Sequence, residues 1–329
     1  MNYKELAKKA HVSESTVSKA LSGSRDISTA LSDEIFRLAL QTGYFEDRRR
    51  RKHDVNTERP IIVAILCPEI NSPDYSRTVE IFQEKFMQQG IETAVYNYHF
   101  NKEKMNQLIK LLLVRNCADG IITFSPVDAL FARPPVPIVC LESTGAVCGG
   151  YDSVCSDQKA AMLDAVKYLN ALGHRRIGFI GENHTPAKES WFQEALEELR
   201  LPVEPDQIFR SQKRFEEAGI EGAAHYLKTG DFATAYICAY DEIALGFIHR
   251  LTQNGIRIPE DVSVVGFNDI PYAAYAKIPL TTVHFFEESQ YDSAIDLLTK
   301  KLRNADAPIQ HITLEHRIAV RGTTAPPKE

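Results

Sequence analysis

At 329 residues the chain is too long for one ordinary hydrophobic core, so two or three domains are expected. Hydrophobic residues make up 44% and charged residues 25%, the balance of a water-soluble globular protein, and no apolar run is long enough to span a bilayer. The net charge of −6 would argue against nucleic acid if it were evenly spread, but residues 1–59 carry 12 Lys/Arg against 9 Asp/Glu, or +3, which leaves −9 for the remainder. A small basic head on an acidic body fits DNA contact through the head alone.

The first predicted helix has Tyr3, Leu6, Ala7 and Ala10 at helical spacing, which makes one face apolar. His11-Val12-Ser13 breaks the run, and Ser13 is a good N-cap for a second helix. Val17, Ala20 and Leu21 give that helix an apolar stripe, while Glu14, Ser15, Ser18 and Lys19 occupy the opposite face. Short polar groups with one long cation suit a helix lying in a major groove, although a plain helical hairpin shows the same patterning. A third helix is predicted over about 28–42, with Leu31, Ile35, Leu38 and Ala39 on one face and Gly43 beyond its end. Residues 45–59 hold almost nothing apolar after Phe45 and read as a linker carrying Arg48, Arg49, Arg50, Arg51 and Lys52.

From Pro60 the pattern changes. Apolar runs at Ile61–Leu66, Thr93–Tyr96, Gly120–Phe124 and Pro137–Leu141 form one set of predicted strands. Ile177–Ile180, Thr234–Cys238 and Val262–Val265 form a second. Helical stretches fall at about 76–89, 102–115, 157–172, 187–200, 216–229 and 241–254. Alternating strands and helices predict parallel sheets covered on both faces, in two similarly built lobes. The six cysteines (67, 117, 140, 148, 155, 238) show no CxxC spacing. Cys67, Cys140 and Cys238 sit in or at the ends of strand-like runs, as small hydrophobes. A reduced cytosolic chain with no metal site is expected, and the charged N-terminus has no secretory apolar region.

Ala7-(x4)-Val12-Ser13-(x2)-Thr16-Val17-Ser18-Lys19-(x)-Leu21 resembles the headpiece of the lactose-repressor/galactose-repressor (LacI/GalR) family. His11 stands where that family has its turn glycine, Lys19 where it has arginine and Ser22 where it has asparagine. Further family phrases follow: Ala118-Asp119-Gly120-Ile121-Ile122, Leu172–Gly181, Asp241–Gly246, Gly255–Asp269, Pro279–Val283 and Arg321–Thr324. The resemblance implies an all-α helix-turn-helix head at 1–44 and a basic linker or hinge at 45–59. It also implies an α/β periplasmic-binding-protein-like body of two doubly wound lobes. The N-terminal lobe would comprise 60–155 with about 286–313, and the C-terminal lobe 156–285 with about 314–329. Three crossovers would join the lobes, with an effector held between them.

Site residues follow from the same reading. Ser13, Thr16 and Ser18 would contact phosphate or cap the helix. Glu14, Ser15 and Lys19 would face base edges, with Lys19 reaching guanine O6/N7. Simple solvent exposure is the alternative for Lys19, and a first-turn helix charge the alternative for Glu14. The Arg48–Arg51 block would anchor phosphates, against the alternative of a solvated charge run. Relatives carry A-R-x-L here, with a leucine wedge for the minor groove. No Ala or Leu lies between Phe45 and Pro60, so an apolar wedge is not expected. In the body, Tyr75, Glu142, Lys188, Tyr240 and Asn268 follow strand ends at positions the family uses for its ligand, where turn or cap roles are the alternative. Lys188 replaces an arginine fork, Tyr240 an asparagine and Asn268 an aspartate, so the family's own ligand does not carry over.

GxGxxG after the first strand, GxxxxGK, HExxH and GxSxG are all absent from the sequence, which argues against an enzyme and against a bound cofactor. His174 belongs to a family turn, where a structural role is expected. The expected function is a cytoplasmic repressor of transcription that binds double-stranded operator DNA as a homodimer and responds to a small polar effector, a sugar or sugar phosphate. The alternative is a cytosolic small-molecule-binding protein or sugar-processing enzyme with a vestigial head, distinguished by salt-dependent binding to duplex DNA.

Overall fold

Three helices build the amino-terminal head of this computed structural model, which describes all residues except 1, 25, 46–58, 129–133, 143–149 and 329. Helix α1 (Tyr3–Lys9) starts in a capping box: Asn2 Oδ1 accepts from the Glu5 N–H, and Glu5 Oε2 accepts from the Asn2 N–H. Helix α2 (Glu14–Ser22) starts at Ser13, whose Oγ accepts from the Thr16 N–H at 3.0 Å, and ends at Gly23 with φ +74°. Helix α3 (Thr29–Gln41) starts at Ser28 in the same way. Leu6, Ala7, Val17, Ala20, Leu21, Ile35, Phe36 and Ala39 are buried together. Phe45, placed in the linker by the polar sequence after it, is also buried, with its ring 5.1 Å from Phe36. The head core therefore extends through Phe45.

The chain divides into two compact units. The first holds Met1–Glu142, Ala146–Cys155 and Glu287–Thr313, and the second is chiefly Ser156–Phe286 and Leu314–Glu329. In the first, β1 (Ile61–Cys67), α4 (Pro73–Gln88), β2 (Ile91–Asn97), α5 (Lys102–Arg115), β3 (Gly120–Thr123), β4 (Ile138–Glu142) and β5 (Asp152–Ser156) lead to α11 (Glu287–Arg303) and β11 (His311–Leu314). The strand order is β11-β5-β4-β3-β1-β2. In the second, the order of elements is α6 (Gln158–Ala171), β6 (Ile177–Glu182), α7 (Pro186–Glu198), β7 (Ile208–Ser211), α8 (Phe215–Thr229), β8 (Ala235–Cys238), α9 (Asp241–Gln253), β9 (Ser263–Asn268), α10 (Pro271–Tyr275), β10 (Thr281–Phe285) and β12 (His316–Ala319). Its strand order is β12-β10-β9-β8-β6-β7.

The two orders are the same pattern used twice, since β2-β1-β3-β4-β5 corresponds to β7-β6-β8-β9-β10. Strands within each of these runs are parallel, and β12 pairs antiparallel with β10. The two doubly wound α/β lobes read from the sequence are thus observed. In each, the first strand has its neighbours on opposite sides, which opens a crevice at the carboxyl ends of β1/β3 and of β6/β8. Buried strands explain the continuous apolar runs: Val63–Cys67 are fully buried, as are Ala235–Cys238.

Helix α5 also touches the head. Lys110 pairs with Asp33 of α3, and its ammonium lies 5.6 Å above the Phe36 ring.

Candidate DNA-binding face and ligand-binding sites

Helix α2 buries Val17, Ala20 and Leu21 and leaves Glu14, Ser15, Ser18 and Lys19 exposed. Ser13 and Thr16 are joined by hydroxyls 2.8 Å apart, so both serve the N-cap. Lys19 Nζ lies 3.1 Å from Asp26 Oδ2, and this hydrogen bond holds the Asp26 carboxyl below the usual range. Asp26 went unnamed in the sequence because its partner lies seven residues earlier, across a turn. Arg48, Arg49, Arg50 and Arg51 lie outside the described residues.

In the first unit, Tyr75 stands in the first turn of α4, which follows β1. Its ring meets Phe124, just past β3, edge-on at 5.4 Å, and Phe100, just past β2, at 6.2 Å. Three aromatic rings therefore gather at the carboxyl ends of three adjacent strands. Close by, Tyr98 is buried, with its hydroxyl 2.7 Å from Ser125 Oγ. Sequence reading found Tyr75 alone, although Phe100 and Phe124 both closely follow a strand. Glu142 is the last residue of β4, opposite Cys155 of β5, and its side chain lies outside the described ones.

In the second unit, Lys188 sits in the first turn of α7 and is buried, at 6% exposure. Its ammonium donates to the Ala239 carbonyl at 2.7 Å. It also lies 4.4 Å from the Tyr240 ring centre and 4.9 Å from that of Phe267. Two ring faces and a carbonyl replace much of the water lost on burial. Glu182, at the end of β6, is buried and accepts from Arg214 Nε at 2.7 Å and from the Phe215 N–H at 3.2 Å. The Arg214 guanidinium covers the Phe215 ring at 4.4 Å, and that ring lies 6.2 Å from Tyr240. Glu182, Arg214, Phe215 and Phe267 are neighbours of the site that the sequence reading did not single out.

Asn268 ends β9 with φ +105°, and Asp269 follows at +55°. Asp269 is held by His284 Nδ1 at 2.9 Å and by the Arg321 guanidinium at 2.7 Å. Asp241, fully buried at the start of α9, accepts from the Ile270 N–H at 2.8 Å and from the Thr282 hydroxyl at 2.5 Å. Burial outweighs these bonds and pushes its carboxyl up to about 8. The loop carrying Asn268 is therefore pinned on both sides.

Aromatic faces offer stacking to the C–H faces of a sugar ring, while an amide and an ammonium offer donors to its hydroxyls or to an anionic group. Among the described residues no group of three or more His, Cys, Asp or Glu could hold a metal ion, and no helix is long and apolar enough to cross a membrane.

Residues 166–324 match the periplasmic binding protein-like domain family. The chain is similar to the HTH-type transcriptional repressor PurR of Haemophilus influenzae, at 27% identity over 93% of each chain. Its fold matches that of the lac repressor dimer solved with operator and the anti-inducer ONPF, with a TM-score of 0.72, 20% identity and 99% of each chain covered. It also matches a LacI family transcriptional regulator from Lactobacillus casei solved with sucrose, with a TM-score of 0.70, 23% identity, 81% of this chain and 100% of the other. The chain thus carries a periplasmic binding protein-like domain, is similar along nearly its whole length to HTH-type transcriptional repressors, and has the fold of the lac repressor, helical head included.

Proposed function

We propose that this chain is a cytoplasmic, homodimeric repressor that binds double-stranded operator DNA through its head and changes affinity with a small polar effector. The observation that carries the reading is α2, with its apolar stripe buried in the head and Glu14, Ser15, Ser18 and Lys19 turned outward. One head reads few base pairs, so two heads on one dimer supply the affinity that one lacks. A sugar or sugar phosphate fits the aromatic trio around Tyr75 and the Lys188–Tyr240–Asn268 group, with Glu142 as a further ligand residue. The bound sucrose of the Lactobacillus casei regulator supports that ligand class. The effector acts by binding two conformations of the body unequally.

The test is selection of binding sites from random duplex DNA with the full chain, followed by affinity measured across salt and with sugars and sugar phosphates. Loss of affinity with salt and one enriched palindromic site are expected. Binding of no duplex would refute the reading. Arg48–Arg51 are assigned to phosphate anchoring. Replacing all four by serine should reduce the salt slope by about one for each phosphate left without its cation. An unchanged slope removes that role.

A further inference from the structure

The Lys19–Asp26 pair has the form of a reader for one base pair. Both side chains are exposed, 49% for Lys19 and 68% for Asp26, yet they meet at 3.1 Å on the outward side of the head. The Asp26 N–H donates to Ser24 Oγ at 3.3 Å, which helps fix the turn that presents the carboxylate. A carboxylate standing alone beside the recognition helix would only repel phosphates. Paired with Lys19, it adds an acceptor directly beside a donor.

We propose that Lys19 and Asp26 together recognise a single G·C pair, Lys19 donating to guanine O6/N7 and Asp26 accepting from cytosine N4. This rests on the DNA-binding reading of the head and names a specificity residue within it. In the major groove a G·C pair shows two acceptors on guanine and then the N4 donor on cytosine. Guanine O6 and cytosine N4 are themselves hydrogen-bonded, about 2.9 Å apart. That spacing matches the 3.1 Å between Lys19 Nζ and Asp26 Oδ2, so each protein atom faces one base atom while their own bond persists. A T·A pair read from thymine also offers an acceptor and then a donor, but it sets the methyl group beside the lysine and the adenine N7 lone pair beside the carboxylate. A mismatch thus leaves Asp26 dehydrated with Lys19 as its donor but none from the base, which penalises the wrong base more than a lone lysine could.

The experiment is selection from randomised duplex DNA with the full chain and with Asp26→Ala, Asp26→Asn and Lys19→Ala. The wild type should enrich G·C at one position of each half-site. Asp26→Ala should lose about ten-fold of discrimination at that position. It should bind random duplex at least as tightly as the wild type, because a negative charge is gone. Asp26→Asn should admit adenine there, and Lys19→Ala should lose preference at the same pair. Unchanged base preferences in both Asp26 variants, or changes at a position Lys19→Ala does not affect, would overturn the proposal. If the wild type enriches no sequence at all, the DNA-binding reading fails and this one fails with it. That result appears before any variant is compared. Thermal melting of all variants should coincide with the wild type, since both side chains are exposed.

Discussion

His11 shows how one residue carries a local cost. It occupies the head turn with φ +53°, in the left-handed region where a β-carbon crowds the following carbonyl. Glycine would remove that crowding while gaining some freedom in the unfolded chain. His11→Gly should therefore stabilise the head by about 0.5–1 kcal/mol. Amide exchange of α1 and α2 checks this, and faster exchange in the variant would contradict it. His174 is the opposite case. It is buried, its Nε2–H donates to the Ala325 carbonyl at 2.9 Å, and Nδ1 lies 2.9 Å from Thr234 Oγ1. Burial disfavours the charged ring and lowers its pKa, so the folded protein binds this proton less readily than the unfolded chain does. Its contribution is present above about pH 6.5, the ordinary histidine value, and is lost as pH falls through the lower folded pKa. Denaturant midpoints measured from pH 7 to pH 5 should fall for the wild type. His174→Gln should reduce that slope, at a cost of about 1–3 kcal/mol at neutral pH.

Among the elements, α8 and α9 pack more closely than side chains would permit. A β-carbon on Gly219 would lie 2.0 Å from the Ile243 carbonyl oxygen, and one on Gly246 would lie 2.2 Å from that of Glu216. Backbone stands in the way at both places, so the helices must separate to admit even a methyl group. Gly246→Ala should destabilise the second unit by about 1–3 kcal/mol or more. A denaturation curve identical to the wild type would show that the helices can move apart freely. On the proposed ligand-binding reading the separation bears on function too, because α9 begins at Asp241, capped by Tyr240, beside Lys188 and the Asn268 loop. The same variant should therefore weaken effector response as well as stability.

At the scale of the whole molecule, one strand order occurs twice, and each copy places its polar and aromatic groups past the carboxyl ends of its strands. Tyr75 and Lys188 are thus expected to act in response to ligand rather than in basal binding to DNA. Tyr75→Ala and Lys188→Ala should each weaken effector binding while leaving operator affinity without effector close to the wild-type value. Their effector response should fade because a ligand that binds both conformations equally shifts neither. Operator titrations with and without the effector test this, and a wild-type response in both variants would remove both residues from ligand binding. Lys188→Met, which keeps bulk without charge, separates loss of packing from loss of the ammonium.

Whatever repeats locally was legible in the order of the amino acids. Helical and strand periodicity located the head, the main strands and most helices, because burial on one face imposes a spacing of 3.6 or a continuous apolar run. Ser13 as a cap and Val17, Ala20 and Leu21 as the buried stripe were readable for the same reason. Strands β5, β7, β10, β11 and β12 were not, being four or five residues long and, in β7, β11 and β12, largely half-exposed. Helix α11 did carry a signal, since Tyr291, Ala294, Ile295 and Leu298 are buried at helical spacing, but it went unread in a strongly charged stretch. Which distant residues meet was settled by the folded chain. Phe100 and Phe124 join Tyr75 because β2 and β3 flank β1. Phe267 comes to Lys188 from more than seventy residues away because β9 lies beside β8. Asp26 reaches Lys19 because the chain turns back after Gly23. Local spacing encodes what each segment buries, whereas the partners of a side chain depend on strand order and turn geometry, which no single segment contains.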